Sequence, residues 1–417
     1  MTLSKRCLIS LVLGIIYLGG GAMPVSLAKG PTVASAPLPN VWHIVWANDA
    51  TIPHLLDLKR MGFDGLFKCV AITFDGPDGG QFAGGEWRLV ERIEGTYDWG
   101  SMRYCLDNAL AANMWFIPEI VINVPPDWFL QRYPGALLRD SRGLTTLDRH
   151  AEGAPYMLSP WFIDSGSADS HLLPFMQSFL DLVAQYPNVP AIMVGNFKLN
   201  VLPWKMGLDG TDNFTYWPIW DDYARADYAR QFGGGASPPA TWADYAAMPA
   251  TRQTVFRGWL TAAMGRNLRT RYLPWVADFP GWVVVNAAMW NQDGVRSSVF
   301  TTTTPEMTAA KQAAIAAAGL PWIAIDDDNM GDFGLARYQQ QDVVLAHSYG
   351  FRILGERVPG VSTWPDMYAM WARFSPRADG FINIETPDPD WIRRFRELYG
   401  PATEPLSWRL RLPLITR

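Results

Sequence analysis

Three cysteines and five histidines in 417 residues are too few and too scattered to build a zinc site, and no HExxH run brings any of them together. A GxSxG nucleophile elbow and a GxxxxGKS/T phosphate loop are also missing, so neither serine-hydrolase nor nucleotide chemistry has a motif to rest on, and no cofactor is expected. Positive charge is in deficit, with 35 Lys and Arg against 40 Asp and Glu and a formal net charge of −5, which does not suit a polyanion such as nucleic acid. Beyond the N-terminus no apolar run is long enough to span a bilayer, so no transmembrane anchor is expected.

At the N-terminus, Lys5 and Arg6 precede an apolar run from Cys7 to Leu18 and then small residues ending at Ser26-Leu27-Ala28. That order reads as a signal peptide over residues 1–28, with Ala34-Ser35-Ala36 as a second cleavage candidate and a secreted or periplasmic destination. Its removal takes Lys5 and Arg6 and no acid, which moves the charge to −7. Cys7 leaves with it. Cys69 and Cys105 remain, either as a disulfide in an oxidising compartment or as two buried thiols.

Residues 29–40 read as a short linker. From Val41 onward, short apolar runs alternate with amphipathic ones, the pattern of βα units on a parallel sheet. Eight strands are expected, at 41–47, 65–72, 114–122, 191–197, 282–286, 322–325, 351–354 and 380–384. Helices are expected near 51–61, 101–112, 171–185, 255–271, 305–318, 337–348, 365–374 and 390–398. That count suits one (β/α)8 TIM barrel over residues 41–400, with long βα loops and a 401–417 tail packed on its exterior. Barrel active sites lie at the C-terminal ends of the strands, where this chain places Asn196 and Asn200, Asn286, Asp326 to Asp328, Glu356 and Glu385.

The most specific stretch runs from Glu86 to Phe129. A Trp and an acidic pair lead to Gly95-Thr96-Tyr97-Asp98-Trp99, then an amphipathic helix, an apolar strand and Pro125-Pro126-Asp127-Trp128. This order resembles the first third of the barrel in family 42 glycoside hydrolases and related β-galactosidase and β-amylase-like proteins, with Arg92 where that family has Pro. The resemblance implies a β-galactosidase-like glycosidase acting on an extracellular carbohydrate. It places the general acid, a Glu, at the end of the fourth strand and the nucleophile or base, also a Glu, at the end of the seventh.

Hydrolysis of a glycosidic bond needs two carboxyls, about 5 to 5.5 Å apart for retention and about 6.5 to 9.5 Å for inversion. Glu356 fills the seventh-strand position. At the fourth, Asn200 stands where the acid belongs, and Asn cannot donate a catalytic proton. Asp326 is one substitute, since alternation gives it the direction of Ala324. Glu119, inside an apolar strand, is another, although a buried structural Glu is as good a reading. Trp87, Trp128, Trp204 and Trp290 are candidate stacking platforms among 20 Trp and 15 Tyr, most of which serve packing. Asn196, Asn200 and Asn286 offer donors and acceptors for hydroxyls, and Glu385 joins them at the last strand end. As a calcium loop, the stretch from Asp326 to Arg337 fails at its fifth position, Met330, and its twelfth, Arg337, so no metal is expected. Against the hydrolase stands a barrel that binds saccharide without cleaving it, because of Asn200. A structural or envelope-associated protein is a third reading.

Overall fold

A computed structural model describes residues 42–47, 50–69, 85–122, 124–145, 148, 157–194, 216–286, 323–327, 347–357 and 379–383, all within one compact unit, Ser35–Arg417. The signal segment, the linker, the tail and four of the expected helices (305–318, 365–374, 390–398 and nearly all of 337–348) lie outside the described residues. So do Asn196, Asn200, Trp204, Trp290 and Glu385.

The chain opens with β1 (Trp42–Ala47), α1 (Ile52–Met61), β2 (Gly65–Cys69), α2 (Trp87–Val90) and α3 (Gly100–Ala111). Next come β3 (Trp115–Ile117), β4 (Glu119–Ile120), α4 (Asp127–Arg132), α5 (Pro160–Asp164), α6 (Asp169–Val183) and β5 (Ala191–Val194). A helical stretch follows: α7 (Asp222–Phe232), α8 (Trp242–Ala246), α9 (Ala250–Asn267), a π turn (Leu268–Tyr272) and α10 (Leu273–Trp275). The last described strands are β6 (Trp282–Asn286), β7 (Ile323–Asp327), β8 (Arg352–Arg357) and β9 (Gly380–Asn383).

All pairings between these strands are parallel, in the order β3-β2-β1-β9-β8-β7-β6-β5-β4. The two ends of that order, β3 and β4, are consecutive on one run of chain. Pro118 separates them because it has no N–H to give to the ladder. Its carbonyl still accepts from Met193 N at 2.8 Å, and Phe116 N donates to Asn188 O at 2.9 Å, so both pieces face the segment around β5. The third expected strand is therefore two strands. β7 and β8 also run further than expected, so Asp326 and Glu356 lie within strands rather than just past them.

The sheet has two differently filled faces. One packs under the helices and carries Val45, Leu66, Phe116, Ile120, Val194 and Ile353 against residues such as Leu106, Leu172 and Phe179. The other, here called inner, gathers Trp42, Ile44, Phe67, Trp115, Ile117, Ala191, Met193, Trp282, Val284 and Leu354. Three Trp fit there because small residues stand beside them. A Cβ at Gly380 would come within 2.7 Å of both Trp42 Cβ and Leu354 Cδ2.

Helix ends follow local chemistry. Gly62, at φ 103°, terminates α1 in the left-handed region that favours glycine. Thr241 and Asp244 cap α8 reciprocally. Cys105, fully buried on α3, is disulfide-bonded; Cys69 lies in β2 and Cys7 outside the described residues. No helix among the described residues is long and apolar enough to cross a membrane.

Candidate active site

The stretch that carries the family resemblance folds mainly as a clasp on the helix side of the sheet. Trp87 is fully buried, with its ring against Phe129 at 4.7 Å, Phe175 at 5.8 Å and Trp128 at 6.1 Å. Its indole N–H donates to Glu91 Oε2 at 2.6 Å, and Gly95 N donates to Glu91 Oε1 at 2.8 Å. Glu91 thus spans the turn before Tyr97. Burial pushes its carboxyl up, against the lowering effect of those two hydrogen bonds, and neighbouring Glu94 adds to the rise. Trp99 stacks on Phe175 and donates to Ser178 Oγ at 2.7 Å.

These contacts correct the stacking role expected of Trp87, which has no exposed ring to offer a sugar. Trp128 keeps part of its surface, but its indole N–H is committed to Glu91 O at 2.8 Å and His171 packs at its edge. Around it, Arg132 pairs with Glu94, and His171 Nδ1 lies 3.6 Å from Glu94 Oε1. Burial and then Arg132 push the His171 imidazole down, while Glu94 opposes them.

Further acids on the helix side are equally engaged. Asp221 caps α7, accepting from Ala224 N at 3.0 Å and Ser159 Oγ at 2.9 Å; burial pushes its carboxyl up to about 7. Asp227 is buried and accepts from Trp259 Nε1 at 2.7 Å and Arg266 Nη2 at 3.2 Å, and Arg266 also reaches Asp164 at 2.8 Å. One guanidinium therefore ties α5, α7 and α9 together.

Three of the expected site residues occupy inner-row positions by backbone register, together with Glu119. Glu119 is buried, two residues past Ile117 and in register with Met193, both inner residues. Asp326 is in register with Leu354, also inner, and with Asn286 on its other side. Glu356 lies two residues beyond Leu354 and pairs with Ile382, which in turn pairs with Ile44. By backbone register Asn286, Asp326 and Glu356 thus share the inner row, on three successive strands. One strand spacing across and two residues along separate the Cα atoms of Asp326 and Glu356 by about 8 Å. Glu119 lies four strand positions from Glu356 in the sheet order. Among the described residues no group of three His, Cys, Asp or Glu side chains is arranged to hold a metal ion.

Sequence reasoning passed over Glu86. It is buried, bridges in parallel to Val121 beside Glu119, and has Arg88 Nε 3.3 Å from its Oε1. The signal was Gly85 immediately before it, where a Cβ would lie 2.0 Å from Glu119 O.

No protein-family profile matches this chain, and no curated protein does. Among solved structures, the catalytic domain of a β-amylase from Paenibacillus polymyxa matches with a TM-score of 0.55 and 14% identity, over 89% of this chain and 97% of that one. The chain shares its α/β fold with that domain. A β-galactosidase from Bacillus circulans matches at a TM-score of 0.47 and 13% identity, over 84% of this chain but only 50% of its own length. A psychrophilic family 10 endo-β-1,4-xylanase matches at 0.42 and 11%, over 83% and 87%. Both scores fall below 0.5, so the likeness in fold rests on the β-amylase domain.

Proposed function

We propose that this chain is a glycoside hydrolase, exported by its N-terminal signal, whose sheet closes as a (β/α)8 barrel and whose inner strand ends cleave an O-glycosidic bond of an extracellular oligo- or polysaccharide. Glu356 acts as nucleophile or water-activating base, and Asp326 or Glu119 protonates the leaving oxygen. The β-galactosidase-like preference is part of the same reading.

The observation that carries it is the register: Asp326 and Glu356 stand on adjacent parallel strands in the row of Leu354. A Cα separation of about 8 Å, with two side chains free to converge or diverge, is compatible with the carboxyl spacings of either stereochemical course. Glu119 approaches the same face from the other side of the strand order.

The test is hydrolysis of a panel of aryl glycosides and of plant and bacterial polysaccharides by the mature protein from Lys29 onward, beside Glu356→Gln. The reading expects turnover that falls at least about a hundredfold in the variant, close to 3 kcal/mol of transition-state stabilisation. Saccharide binding without turnover by the wild-type protein would replace it with a barrel that binds sugar and lacks the chemistry, for which Asn200 in place of the fourth-strand acid supplies the reason.

A further inference from the structure

His171, in the first turn of α6, stands where that helix meets α4 and the turn after α2. Its ring packs against Trp128 at 5.2 Å, Tyr133 at 5.7 Å and Phe129 at 5.8 Å, and its side chain is 13% exposed. Two groups approach Nε2: Tyr133 Oη at 3.3 Å and Arg132 Nη1 at 3.4 Å. A guanidinium only donates, so Nε2 is the acceptor and the proton of the neutral ring sits on Nδ1. Nδ1 in turn lies 3.6 Å from Glu94 Oε1, and Glu94 is the carboxylate that Arg132 holds, with Nη2 donating to Oε2 at 2.8 Å.

Among the described residues the charged groups that face this ring are Glu94 from the turn and Arg132 from α4; on α6 itself, Asp169 is engaged by Arg271 Nε at 3.2 Å. With the ring neutral, one anion balances one cation. A second proton would turn Nε2 into a donor facing another donor and set two cations on a single carboxylate. It would also place positive charge in the first turn of a helix, where the helix dipole opposes it. Burial and Arg132 accordingly push the imidazole down, against Glu94. The folded ring therefore titrates below the ordinary 6.5, so its contribution to stability is fully present above about that pH and is lost as pH falls through the folded value. The effect reaches the strand ends, because residues 121–126 join β4 to α4, and Val124 O within that loop accepts from Arg88 N at 3.2 Å. We infer that His171 is a pH-sensitive latch, closed when neutral, whose protonation in mild acid loosens α4 from α6 and with it the loop at the end of β4. The inference does not depend on the hydrolase reading.

The experiment is amide hydrogen exchange read by mass spectrometry at about pH 7.5 and about pH 5, corrected for the intrinsic pH dependence of exchange, on wild type, His171→Gln and Arg132→Met. In wild type the protection of α4 should fall at least about tenfold at the lower pH, while that of α1 stays within about threefold. His171→Gln has no ring to charge, and Arg132→Met leaves Glu94 to the protonated ring alone, so in both variants α4 should keep its protection within about threefold. Wild-type α4 equally protected at both pH values overturns the inference. So does a loss shared by α1, which would be global unfolding, or one that persists in either variant, which would belong to other groups. Should His171→Gln fail to fold, Arg132→Met, at an exposed position, carries the same comparison.

Discussion

The two faces of the sheet use the same residue types to different ends. On the helix side, tryptophans and acids form closed sets: Glu91 takes hydrogen bonds from Trp87 and Gly95, Asp227 from Trp259 and Arg266, and Asp221 from Ser159 and Ala224. On the inner face three tryptophans fill the centre, and backbone register puts Glu119, Asp326 and Glu356 at positions beyond it toward the strand ends. An acid or a Trp inside a sugar-enzyme motif is therefore not yet a site residue. On the helix side the polar atoms of such residues are taken up by the fold.

The largest effect that would sharpen this contrast is expected at Trp87. Trp87→Ala removes a fully buried ring from the clasp and should cost about 3–5 kcal/mol of stability. Chemical denaturation measures the loss, and kcat/KM of the protein that remains folded should stay within about threefold of wild type. A large kinetic defect with little loss of stability would return Trp87 to the substrate.

Asp221 comes next. Its carboxyl is raised from 3.8 to about 7, so the folded state binds a proton that the unfolded chain has released between those values. The sign follows: the contribution of Asp221 to stability is fully present below about pH 4, falls as pH rises toward 7, and is lost above it, by an amount on the order of a few kcal/mol. Asp221→Asn should flatten this slope, read from urea unfolding at pH 5 and pH 8, and leave the ratio of kcat/KM at the two pH values unchanged. A change in that ratio would link the helix-side acid to the chemistry.

The smallest effect is expected at Glu94, exposed and paired with Arg132. Glu94→Gln should leave the thermal midpoint unchanged within error at physiological salt, since exposed ion pairs contribute little. What it should move is His171, whose imidazole loses the one neighbour that raises it and titrates lower by NMR.

Much of the sheet was legible in the chain, because apolar runs bounded by glycine and proline mark buried parallel strands. β1, β6 and β9 fall within a residue of their expected limits. α1 and α3 do so as well, since helical periodicity needs only local spacing. The break at Pro118 was written in the sequence too, as a residue without an N–H inside a strand. What periodicity did not reveal is how far β7 and β8 extend through Asp326 and Glu356: polar residues close an apolar run, but backbone pairing continues wherever a neighbouring strand supplies partners.

By itself, then, the sequence determined the alternation of strand and helix and the presence of acids near strand ends, because both are properties of nearest neighbours along the chain. Only the tertiary structure decided that Trp87 and Glu91 belong to a clasp and that Gly85 presses against Glu119. Those outcomes depend on register between segments more than thirty residues apart, and a shift of one residue would have sent each side chain to the opposite face.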